Sequence, residues 1–259
     1  MPEDTLDRIW GAIPAVCKSN QRQLRNEVAL ALFEFLGARR SEIFGITLSD
    51  ALNGIETGEI IVYTKKREPG HSRRLDLLGS VSTRLSHYIH TVRTPLVEKA
   101  IKEGRLSIDH NMLLITTFGT PWNQVSFNNE LGLLAKEALI ETSISPHLFR
   151  HTHFSLLTER LRGLDDHKVR LILKKRGGWR SDMSVEVYQH ADVFMAPDTK
   201  KTLNSIYSHV DAQITKRIII NKLKSLAKQV SNKGEADICK KLEEIESLVE
   251  QIRSETTEK

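Results

Sequence analysis

The sequence predicts a mainly α-helical chain carrying a small antiparallel β-sheet, an α+β protein that continues into a C-terminal helical tail. Three observations carry this. Apolar residues recur at helical spacing in several separate stretches, as in Leu24, Val28, Ala31, Leu32 and Phe35. One paired stretch has the opposite pattern: Glu59 to Thr64 is dense in β-branched residues, and a basic turn, Lys65 to Ser72, returns the chain as Arg73 to Leu77. Finally, residues 216–233 hold six basic residues and no acidic one, whereas residues 235–259 hold eight acidic and four basic. Both tail segments carry apolar seams at 4-3-4 spacing, Ile219, Leu223, Leu226 and Val230 in the first, Ile238, Leu242, Ile245 and Val249 in the second.

Composition permits this fold and narrows the partners. At 259 residues, 39% hydrophobic and 27% charged, the chain can bury a proper core. Its net charge of +5 suits an anionic partner. Cys17 and Cys239 lie too far apart to form a metal-ligand pair and read as reduced thiols of a cytosolic protein. Met1-Pro2-Glu3-Asp4 is not the start of a signal peptide, and no stretch approaches the ~18 apolar residues of a membrane span.

Taken in order, residues 5–15 suit a short amphipathic helix, and Asn20 to Gly37 a stronger one with Gly37 as its C-cap. Ala38-Arg39-Arg40-Ser41-Glu42 reads as a helix start with Glu42 in its first turn. After the hairpin, Ser80 caps a helix to about Arg93, and Pro95 starts another ending near Gly104. Leu113 to Thr117 suits an edge strand. Helical spacing resumes at Leu131, Leu134, Ala135, Ala138 and Leu139, then from His147 to Leu161, and again from Asp165 to Lys175 before Gly177-Gly178. Ser181-Asp182 offers an N-cap for a helix carrying Val185, Val187 and Tyr188, and Ala196-Pro197-Asp198 marks the expected end of the compact unit.

Four small motifs stand out. In Ser145-Pro146-His147-Leu148-Phe149-Arg150-His151-Thr152 the proline defines a helix entry, and the three-residue spacing puts His147 and Arg150 on one face. An imidazole and a guanidinium so placed suit a phosphate. Earlier come the Arg39-Arg40 pair with Glu42, and the cationic hairpin turn at Lys65-Lys66-Arg67. Later, Gly178-Trp179 is followed nine residues on by Tyr188, then Gln189-His190.

Together these motifs resemble the catalytic domain of the tyrosine recombinase, or phage integrase, family. Gly37-Ala38-Arg39-Arg40-Ser41-Glu42 is similar to the family's Gly-x-Arg-x-Ser-Glu segment. Lys65-Lys66 with Arg73-Arg74 is similar to its hairpin lysine, Pro146 to Thr152 to its His-x-x-Arg box, and Gly178-Trp179 with Tyr188 to its last segment. The order is preserved, and the matches span roughly residues 20–195.

The resemblance implies a site-specific enzyme of a mobile element that cuts and rejoins DNA strands through a 3′-phosphotyrosyl intermediate, without metal or other cofactor. Tyr188 is then the nucleophile, Arg39 and Arg150 clamp the non-bridging oxygens, and His147 assists proton transfer. Lys65 is the general acid, with Lys66 the open alternative, and Trp179 donates an indole N–H to the phosphate. Glu42 orients Arg39 or a neighbour, while Lys66, Arg67, Arg73 and Arg74 face DNA. The partners implied are double-stranded DNA and further copies of the chain, a tetramer on DNA, in the cytoplasm at the nucleoid.

The domain expectation is a catalytic unit over residues 1–195 and a helical extension over 196–259 available for contact between protomers. The family's N-terminal core-binding domain is expected to be absent, since only about twenty residues precede the first matching helix. Lys174-Lys175-Arg176 also replaces the apolar residues that often precede the Gly-Trp pair. Two other readings use the same residues: relaxation of supercoils as by a type IB topoisomerase, and a non-catalytic DNA-binding accessory protein.

Overall fold

The computed structural model describes residues 1–64, 72–77, 79–161, 165–178 and 197–230. Its centre is α3 (Asn20–Leu36), in which every residue from Leu24 to Leu36 is buried. Ser19 starts this helix by accepting from the Arg22 amide, and Gly37, at φ 56°, ends it in the left-handed region. Around it lie α1 (Glu3–Gly11), α2 (Ile13–Val16), α4 (Arg40–Ile43), α5 (Leu48–Thr57), α6 (Gly79–Tyr88), α7 (Thr94–Lys102), α8 (Gln124–Glu137), α9 (Pro146–Arg160), α10 (Asp166–Gly177) and α11 (Pro197–Val230). Phe33 of α3 anchors the packing, stacked on Phe127 at 5.0 Å and tilted against Phe149 at 6.2 Å. Such aromatic pairs add about 0.5–1.5 kcal/mol each beyond the area they bury.

A helix buried on all sides must still find partners for its polar residues, and α3 uses them to pin several neighbouring helices. Arg25 pairs with Glu130 of α8 at 2.8 Å and lies over the Trp122 ring, and Asn26 reaches the same carboxylate at 3.0 Å. Glu27 meets Arg84 of α6, and Glu34 meets both Trp10 of α1 and Arg217 of α11. These pins fix which helices may dock and in what register.

The sheet is a two-stranded hairpin, β1 (Glu59–Tyr63) with β2 (Ser72–Asp76), in register Glu59↔Asp76 to Tyr63↔Ser72. The pleat turns Ile60, Val62 and Leu75 into the core. Arg73 shares the inward face with Leu75, whereas Arg74 points out and pairs with Glu59.

Four expectations are corrected. Leu113 to Thr117 forms no strand: Ile115 makes only an isolated bridge to Pro121, and the Tyr88 hydroxyl bridges the Leu113 carbonyl and the Ile115 amide instead. The helices expected on either side of Pro95 are one continuous rod, joined by a π-turn at Ile89–Arg93 in which the Thr94 amide reaches back to the Ile89 carbonyl. Proline lacks the amide that would continue an α-ladder and its ring crowds the preceding turn, so the wider turn absorbs it. Ser80 does not cap the rod with its own oxygen. Asp211 of α11 does, accepting from the Ser80 amide at 2.9 Å and its hydroxyl at 2.7 Å.

The fourth correction concerns residues 196–198, where the compact unit was expected to end. Helix α11 runs on from Pro197 and packs against α1, α3 and α6. Tyr207, Val210, Ile214, Arg217 and Asn221 repeat at 3-4-3-4 spacing and are all buried. Tyr207 lies 5.5 Å from Phe35, Arg217 pairs with Asp7 and Glu34, and Asn221 donates to the Trp10 carbonyl. Ile219, Leu223 and Leu226 of the expected seam form a separate small cluster. The acidic segment 235–259 lies outside the described residues.

Candidate phosphate-clamp site

Three chain segments meet at the end of α3: the turn into α4, the start of α9 and the end of α10. Arg39 occupies the extended position just before α4, at φ −70° and ψ 154°. Its own amide donates to Glu42 Oε2 at 2.6 Å and its Nη1 to Glu42 Oε1 at 2.9 Å, while its Nη2 reaches the Gly178 carbonyl at 3.1 Å. The side chain remains 36% exposed, so it is held and accessible at once.

Arg150 projects from the second turn of α9, where Pro146 sets the helix start. It is only 4% exposed. Nη1 donates to the Gly37 carbonyl at 2.7 Å, Nη2 donates to the Gly177 carbonyl at 2.6 Å, and the guanidinium lies over the Phe154 ring. Both carbonyls belong to helix C-termini, the ends where a cation is favoured. Burial, reinforced by the nearby positive charges of Arg39 and Arg73, pushes the pKa of Arg150 down to about 10. It stays cationic at neutral pH. His147 lies one turn before it on the accessible surface, its ring edge-on to His151 at 4.4 Å between centroids.

Glu42 is fully buried and is shared by two arginines. Besides Arg39 it accepts from Arg73 Nη1 at 2.5 Å and Nη2 at 2.7 Å. Burial opposes its charge, but the hydrogen bonds and charge of Arg73, joined by those of Arg39, outweigh it and hold the carboxyl below the usual range. Arg73, expected to face DNA, is instead 8% exposed and spends its fork on this carboxylate. The reason is strand parity: Arg73 lies on the core face, and Arg74 alone of the pair faces solvent.

Arg39, His147 and Arg150 line one cavity of about 390 Å³ with Arg40, Ser41, Gln124, Ser145 and Pro146. A larger cavity of about 480 Å³ lies between α1 and α11, away from this cluster, and its Arg217 is already committed to Asp7 and Glu34. Lys65, Lys66, Arg67, Trp179 and Tyr188 lie outside the described residues. No cluster of metal-ligating side chains occurs among the described residues.

What the sequence did not announce is the backbone's part. The carbonyls of Gly37, Gly177 and Gly178 hold the two arginines, and a carbonyl leaves no mark on residue identity. Gly178 at φ +59° is the one partial signal, since a Cβ there would lie 2.7 Å from Arg73 Nη1. His153 is similarly unforeseen. Its Nδ1 lies 3.0 Å from the Glu34 carbonyl and its ring fills the space that a Cβ on Gly37 would need.

Comparison with known proteins follows the same lines. A family model described as "Phage integrase family" matches residues 1–193. The chain is 27% identical over 187 residues to tyrosine recombinase XerD of Halalkalibacterium halodurans, covering 72% of this chain and 54% of that protein. It is 26% identical over 171 residues to tyrosine recombinase XerC of Natranaerobius thermophilus, covering 65% and 52%. The chain thus spans about half the length of these relatives. Among solved structures, XerA recombinase superposes with a TM-score of 0.50 at 18% identity, covering 81% of this chain and 64% of that one. No described helix is long and apolar enough to cross a membrane.

Proposed function

Since the chain belongs to the phage integrase family, we propose that it is a site-specific DNA recombinase working through a phosphotyrosyl intermediate, in the service of a mobile element. The observation that carries the reading is the pair Arg39 and Arg150, two guanidiniums fixed from different chain segments onto one cavity that His147 also lines. Planar forks are suited to paired phosphate oxygens.

In this reading the Tyr188 phenolic oxygen attacks the phosphorus. A Tyr188 O–P bond forms as the bond to the 5′ oxygen breaks, and the departing oxygen takes a proton to become a 5′-hydroxyl. A free phenol, with a reference pKa of about 10, is a weak nucleophile, and a cationic site favours its ionised form. Arg39 and Arg150 stabilise charge growing on the non-bridging oxygens, and His147 hydrogen-bonds the same group and assists proton movement. Lys65 supplies the leaving-group proton and Trp179 a further N–H donor. A 5′-hydroxyl from a partner strand then reverses the step, so the energy of the phosphodiester is carried in the tyrosyl ester. Duplex DNA is the substrate, and paired strand exchange calls for several protomers together on it.

The test uses a pool of nicked duplexes of randomised sequence, whose cut strand drifts away after cleavage, and a denaturing gel. A covalent protein–DNA band from the native chain that is absent from Tyr188→Phe is expected. Absence of that band across a range of salt, or its persistence in Tyr188→Phe, overturns the reading. Salt is varied because phosphate-dominated binding weakens steeply as ionic strength rises.

A further inference from the structure

The cavity described above has a part that the proposed chemistry leaves unused. Arg40, Ser41 and Gln124 line it beside Arg39 and His147. Arg40 is the first helical residue of α4, immediately after the extended Arg39, so the two neighbouring side chains leave the backbone in different directions. Arg39 is tied to Glu42 and Gly178, whereas Arg40 is exposed and makes no ion pair among the described residues. The side chains of Ser41 and Gln124 likewise make no hydrogen bond among the described residues, although both reach the same space.

Volume decides how much substrate this space receives. At about 390 Å³ the cavity has room for roughly a dozen waters at ~30 Å³ each. One phosphate group displaces only a few of them. The remainder accommodates backbone on either side of the reacting phosphate, and the next charge along a nucleic-acid strand is another phosphate. An unpaired guanidinium beside two uncharged donors fits it.

We infer that Arg40, with Ser41 and Gln124, binds a DNA phosphate adjacent to the cleaved one and so sets the register of the strand in the site. The inference rests on the proposed recombinase reading. It divides the Arg39-Arg40 dipeptide into two tasks: Arg39 on the reacting phosphate, Arg40 on its neighbour. Contacts of this kind position a strand without reading its bases.

The experiment pairs a protein change with a DNA change. A duplex that yields the covalent band is remade with an uncharged methylphosphonate at each phosphate neighbouring the cleaved one, and binding to native protein and Arg40→Ala is measured across salt. Arg40→Ala is expected to weaken binding about tenfold and to flatten the slope of log affinity against log salt by about 1. One methylphosphonate position should produce the same loss in the native chain and no further loss in Arg40→Ala. Unchanged binding by Arg40→Ala, or additive losses at both neighbouring positions, refutes the assignment while leaving the recombinase reading standing. If the native chain forms no covalent band with any duplex, the recombinase reading fails and this inference falls with it.

Discussion

Replacing Glu42 by glutamine tests the keystone of the site, because one buried carboxylate holds two arginines. Glutamine keeps the shape but exchanges a charged acceptor for an amide that turns donors toward donors. Arg73, only 8% exposed, is left as a buried cation without its counter-charge. Breaking a buried pair from one side costs about 3–5 kcal/mol, because the surviving charge remains desolvated. For a chain of this size each kcal/mol moves the melting midpoint by about 2–4 °C, so Glu42→Gln should melt roughly 6–20 °C lower at pH 7. The pH dependence has a definite sign. The Glu42 carboxyl is held below its ordinary range in the fold, against the opposing effect of burial, by Arg73 and Arg39. Its contribution is therefore complete above the unfolded carboxyl value of about 4.3 and is lost as pH falls through the lower folded value. Melting curves of the native chain and Glu42→Gln from pH 7 down to pH 3 should converge only at the acid end. Midpoints within 2 °C of each other at pH 7, or a gap that does not narrow below pH 4, would falsify the argument.

Two other outcomes can be checked alongside. Gly178→Ala forces a side chain into the left-handed region, at about 1–2 kcal/mol, and drives a Cβ to 2.7 Å from Arg73 Nη1; urea unfolding should register the first and slower covalent-complex formation the second. Burial pushes the pKa of His153 down to about 4, so it stays neutral in the fold. An unfolded histidine binds its proton near pH 6.5, and the native chain should therefore lose up to about 3 kcal/mol of stability between pH 6.5 and 4. His153→Gln, compared with the native chain by urea titration across that window, should show a correspondingly flatter profile, and parallel profiles would count against a neutral buried imidazole.

Much of this was legible from residue types alone. Helical spacing and Gly37 located α3, β-branching located β1, and Pro146 located the start of α9, because each is a local preference that the fold did not need to override. Arg39 and Arg150 were linked only through the resemblance of their two motifs to one family's, and both side chains do line one cavity. The corrections share a different origin. The buried face of α11 was hidden because Arg217 and Asn221 complete its seam, and a charged residue reads as surface until its partners Asp7 and Glu34 are known. The inward turn of Arg73 depended on strand parity set by a register that no single stretch contains. The Leu113 to Thr117 stretch resembled a strand, yet its backbone groups are shared between the Tyr88 hydroxyl of α6 and scattered backbone partners at Ile46, Thr120 and Trp122 rather than one neighbouring strand.

The shared carboxylate has one more consequence, visible when the charges of the cluster are simply added. Arg39, Arg73 and Arg150 contribute three positive charges and Glu42 one negative, so the cluster rests at +2. A phosphodiester in its ground state brings −1 and leaves the cluster over-positive. In the transition state of the proposed reaction the phosphorus is bonded in part to both the attacking and the departing oxygen, and the phosphoryl oxygens approach −2. Neutrality is reached only at that point, so the imbalance of the empty protein is matched to the fleeting species rather than to the resting strand.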